Sequence, residues 1–179
     1  MTLEEVLIAI VRLLSALPVL WFPFFGGVLA LLVDQSDLFM MNLLHLGGVH
    51  DYQAFDKYLD QAYMLTFLIV ALRWQGRVRT IAVALYVYRF VGFVAFEFTQ
   101  ERDVLLAFPN FFEPWFLFVA ADQRFALHER LSRTKLAVGI GALAGLKLFQ
   151  EFAIHQQRWL DGFTAVDAVK AIWRFLTPF

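Results

Sequence analysis

Residues 80–98 read TIAVALYVYRFVGFVAFEF, nineteen positions whose only charges are Arg89 and Glu97. At ~1.5 Å of rise per residue a helix of this length covers about 28 Å, close to the ~30 Å thickness of a bilayer's hydrocarbon core. Alternation with period two is absent, and a backbone in lipid must close its hydrogen bonds within a helix or a closed barrel. The stretch therefore predicts a membrane-crossing helix. A charge near the bilayer centre costs ~2.5–3.5 kcal/mol on insertion, so Arg89 and Glu97 are predicted to face a protein interior, where such residues mark functional sites.

Working outward, the same criterion selects residues 13–33, 55–72, 104–121 and 136–154, which predicts an all-α polytopic transmembrane helix bundle of about five spans in a single domain, 1–179. Composition agrees: the 179-residue chain is 60% hydrophobic, well above the ~45–50% of soluble domains. Residues 38–49 are uncharged but too short to cross, so they are expected to be re-entrant or interfacial. Residues 164–178, with Lys170 and Arg174, are expected to form a short C-terminal amphipathic or re-entrant helix.

Eight basic residues fall at one set of span ends (Arg12, Arg73, Arg77, Arg79, Arg124, Arg130, Arg133, Lys135) and three at the other (Lys57, Arg102, Arg158). The positive-inside rule then predicts a multi-pass protein of the cell membrane with a cytoplasmic N-terminus. Glu4 and Glu5 make the start acidic rather than basic, unlike a secretory signal, so the first span is expected to be retained. A chain without cysteine offers no disulfide, no iron–sulfur cluster and no c-type haem attachment, and a net charge of -1 gives no footprint for nucleic acid.

In this topology the charges converge. Asp34, Asp37, Asp56, Asp60 and Glu97 fall toward the outer side, Arg89 and Glu113 at mid-depth, and Lys147 and Glu151 in the outer half of the fifth span. The expected site is an acidic cavity in the outer half of the bundle, formed by Asp56, Asp60, Arg89, Glu97, Glu113, Lys147 and Glu151. Asp56 and Asp60 share a helix face, as do Lys147 and Glu151. The structural alternative is that Arg89–Glu113 and Lys147–Glu151 are internal ion pairs tying helices together. Pro109, Asn110 and Pro114 predict a break or kink in the fourth span. Gly141 and Gly145 permit close helix approach, within the chain or across a homodimer seam. His45, His50, His128 and His155 sit in loops or at span ends, unsuited to axial haem ligation.

The order Asp34-x-x-Asp37 followed by Asp56-x-x-x-Asp60 resembles the aspartate signature of the CDP-alcohol phosphatidyltransferases, D-x2-D-G-x2-A-R-x8-G-x3-D-x3-D. Leu38, Met41 and Asn42 stand at the family's Gly, Ala and Arg, the later glycine is missing, and the gap between the aspartate pairs is one residue longer. The resemblance covers residues 34–60. It implies a metal-dependent lipid enzyme in which Asp34, Asp37 and Asp56 hold Mg²⁺ or Mn²⁺ and Asp60 is the base that activates the acceptor hydroxyl.

Three functional expectations follow. The first is a non-catalytic membrane subunit or binding component, with membrane lipids, other membrane subunits or a second copy as partners. The alternative is the lipid enzyme. The third is a small ion- or proton-coupled carrier, to which the missing internal repeat is unfavourable.

Overall fold

The computed structural model describes residues 2–36, 52–100, 104, 107–130, 132–155 and 173–174; the side chains of Asp56 and Glu151 are not among them. Asp37, the segment 38–49 and most of 164–178 therefore lie outside the described residues. Every described element is helical. The helices are α1 (Leu3–Ala16), α2 (Pro23–Gln35), α3 (Tyr52–Ala71), α4 (Gly76–Thr99), α5 (Phe112–Phe125), the short α6 (Leu127–Arg130) and α7 (Arg133–His155), with a 3-10 turn at Leu17–Leu20 between α1 and α2.

The all-α prediction is met, but the five-span bundle is not. Among the described residues only α4 is both long and apolar enough to cross a membrane. The expected span 13–33 is broken at Pro18 and Pro23, which remove backbone donors and restart the chain as a 13-residue helix of about 20 Å. The expected span 55–72 lies on a helix of sufficient length, but Asp56, Lys57 and Asp60 occupy its first half. The expected span 104–121 loses its first turns to Pro109 and Asn110, so that α5 begins at Phe112 and covers 14 residues, about 21 Å. The 23-residue α7 has the length but turns Lys147 inward to Glu113. With four of the five expected spans unsupported, the loop charges no longer describe a multi-pass topology.

Helix α1 starts with a capping box. Thr2 accepts from the Glu5 amide (3.1 Å), and the Glu5 carboxylate accepts from the Thr2 amide (2.9 Å). Helix α2 packs on α1 and on the 3-10 turn, with Gly26 so close to the Val19 backbone that a methyl there would overlap it. The core forms between α3 and α5, where helical spacing brings Met64, Phe67, Ala71 and Trp74 against Phe112, Phe116 and Ala120. Phe67 stacks on Phe116 with ring centres 4.1 Å apart, and Trp74 stacks on the same ring at 5.3 Å. On α4, Gly92 lets Phe108 lie directly on the helix, which carries the segment before α5 back across it. Gly139, Gly141 and Gly145 of α7 have open space where a methyl would stand, so the close intramolecular approach expected of them is not made among the described residues.

Candidate functional site

Two polar clusters lie inside the helices, joined along one face of α3 by Asp60 and Tyr63. In the first, Arg12 of α1 is almost fully buried and its Nη2 donates to the carboxylates of both Asp34 and Asp60, the latter at 2.6 Å. Asp34 is the last acidic residue of α2, and Asp60 lies two turns into α3. One guanidinium thus ties three helices together. A guanidinium suits this position because its fixed fork of donors can serve two carboxylates and it does not deprotonate.

In the second cluster, Glu113 stands in the first turn of α5, where the helix dipole favours a negative charge. Lys147 of α7 donates to its Oε2 at 2.8 Å. Tyr63 of α3 and the Asn110 side chain (2.5 Å) donate to its Oε1, and all three are buried. Asn110 in turn accepts from the Glu113 amide at 3.4 Å, so the two residues hold each other across the start of the helix. Burial pushes the Tyr63 phenol well above its ordinary pKa, and the negative charges of Glu113, Asp60 and Asp34 add to the shift. Tyr63 therefore stays a proton donor at physiological pH.

The expected site residues divide accordingly. Asp60, Glu113 and Lys147 are brought inward, though into two clusters rather than one cavity. Arg89 does not pair with Glu113 among the described residues; its Nη1 donates to the Phe108 carbonyl at 2.8 Å, from a buried position on α4. Glu97 is half-buried near the end of α4, with the Tyr58 hydroxyl 3.4 Å away. Lys57 lies 3.0 Å from the centre of the Phe96 ring. For Asp37, and for the side chains of Asp56 and Glu151, the expectation falls outside the described residues.

Arg12, Tyr63 and Asn110 were not anticipated as site residues. Arg12 falls one residue before the apolar stretch 13–33 and so reads from the sequence as a loop cation. Asn110-Phe-Phe-Glu113 carries its own signal, an Asn followed three residues later by Glu at a helix start. Tyr63 has no distinguishing mark beyond lying three residues after Asp60.

Of the metal set that the family resemblance implies, Asp34 accepts from the buried guanidinium of Arg12, while Asp37 and the Asp56 side chain lie outside the described residues. Among the described residues no three His, Asp or Glu side chains are gathered in a manner that could hold a metal ion. No protein-family model, curated protein or solved structure matches the chain.

Proposed function

We propose that this protein is a non-catalytic, membrane-associated component that packs its apolar outer surface against lipid and partner helices, while its buried charges hold its own helices in register. The observation that carries this reading is that several charged side chains are buried while many large apolar groups stand open on the outer surface. Arg12, Arg89 and Glu113 are all less than a tenth exposed, whereas Phe98 is 85%, Trp21 70% and Leu146 65% exposed. Apolar surface of this extent on several helices supports a lipid or protein contact.

Helix α4 is the element best suited to the bilayer. Ile81, Val87, Phe90, Val91 and Val94 are open along it, and its central Arg89 is shielded by the Phe108 carbonyl. Arg73, Arg77 and Arg79 before and within its first turn support a cytoplasmic orientation of that end by the positive-inside rule.

The test uses the natural lack of cysteine. The full chain should sediment with membranes and resist carbonate extraction. A single cysteine at Gln75 should react with an impermeant reagent only after the cell is opened, and one at Gln100 in intact cells. Recovery of the chain as a monodisperse soluble monomer without detergent would overturn the proposal.

A further inference from the structure

The turn before α2 and the turn before α4 border one cavity at one end of the molecule, where aromatic and cationic side chains are interleaved. Trp21, Phe22 and Phe25 are each more than half exposed. They border an open cavity of about 560 Å³ that also reaches Gln123 and Arg124. A second cavity of about 460 Å³ shares Trp21, Pro23 and Gln123 with the first and extends to Arg73 and Gln75. The two form a continuous trough with an arginine toward each limb.

Arg73, Arg77, Arg79 and Arg124 are exposed at this end. Arg73 also donates to the Leu20 carbonyl (2.9 Å), which orients its guanidinium against the turn. Among the described side chains, the acidic one nearby, Asp122, is engaged by the His128 ring and amide. At the other end of α4, Glu97 lies beside the Tyr58 hydroxyl and the cation Lys57 sits over the Phe96 ring. The amides of the first turns of α2 and α4 also open onto the basic end, since neither helix has a side-chain cap, and this adds positive potential.

We propose that this end docks on the anionic headgroup face of a bilayer, with the exposed aromatics in the interfacial layer and the arginines on lipid phosphates. Charge complementarity selects the occupant. A neutral partner surface would bury the aromatics but leave several guanidiniums unmatched, whereas phosphates supply bidentate anionic acceptors for their planar forks. Tryptophan is favoured at this depth because its ring is apolar and its indole N–H is a donor. The inference rests on the membrane-associated reading above and adds lipid selectivity to it.

Cell-free synthesis of the full chain in the presence of preformed vesicles, followed by flotation, separates the two. Phosphatidylcholine vesicles report general membrane association, and vesicles containing phosphatidylglycerol report the charge preference. The expected result is flotation with both, stronger with the anionic lipid, and a preference that shrinks as salt is raised. Arg77→Gln with Arg124→Gln should reduce that preference about fivefold per charge removed. Arg73→Lys, which keeps the charge, should preserve it, and Trp21→Ala should weaken flotation with both lipids alike. Equal flotation with the two vesicle types, or an undiminished preference in the double arginine variant, overturns the inference while leaving membrane association standing. Flotation with neither overturns both.

Discussion

The two interior clusters solve the same problem with different stoichiometry. Among the described residues, the Arg12 guanidinium faces two carboxylates. Around Glu113, among the described residues, one cation and two neutral donors face the carboxylate, so each of its oxygens has a donor. The first is a hub that joins α1, α2 and α3 early in the chain. The second is a closing clasp, since it draws in α7 from the far end of the chain. A hub should fail abruptly when its centre is removed, and a redundant clasp should fail in parts.

The largest effect should therefore come from Arg12→Met. It strands Asp34 and Asp60 in partly buried positions without their guanidinium, and loss of one partner from a desolvated network costs ~3–5 kcal/mol. Denaturant unfolding of the full chain in mild detergent is the measurement. A loss under about 1 kcal/mol, the range of an exposed pair, would show that Arg12 is no hub.

Next comes the clasp. Glu113→Leu should cost about 3 kcal/mol, at the lower end because the Lys147 side chain is 14% exposed and can turn toward solvent. Adding Lys147→Met should recover much of that loss, with a coupling above about 1 kcal/mol. Arg89→Met should couple to Glu113→Leu more weakly, because Arg89 serves the Phe108 carbonyl. If Arg89 couples more strongly than Lys147, the partners have been exchanged.

The smallest effect sharpens the link between the clusters. Tyr63→Phe removes one donor to a charged acceptor, worth ~1.5–3 kcal/mol, and leaves Asn110 and Lys147 in place. Because the folded state raises the Tyr63 pKa, it holds that proton more tightly than the unfolded chain does. The stability so gained is present below the unfolded tyrosine value of about 10 and falls as pH rises through the folded value. Ultraviolet titration should reveal a late-ionising phenol that Tyr63→Phe removes. Ionisation of all tyrosines together near their ordinary value would disprove the burial of Tyr63 beside Glu113.

What could be read in advance was the helical character, the apolar excess and the rule that charges within apolar stretches turn inward. Asp60, Arg89, Glu113 and Lys147 all obey that rule. Where reading failed, it treated apolar length as continuous helix. Pro18 and Pro23 divide 13–33, and Pro109 with Asn110 delays α5, because a missing backbone donor counts for more locally than average hydropathy does over a window. The same error hid Arg12, which became a site residue only when α1 was seen to start at Leu3.

By itself the sequence determined the class of secondary structure, the membrane-compatible α4 and the list of charges that needed partners, since periodicity, length and desolvation cost are local properties. The partners were decided by tertiary structure alone. Arg12 lies 22 residues from Asp34 and 48 from Asp60, and Lys147 lies 34 from Glu113. No local rule fixes such distances. They follow from how the proline-broken helices pack on the Phe67–Phe116 core, which chooses the carboxylate that each buried cation can reach.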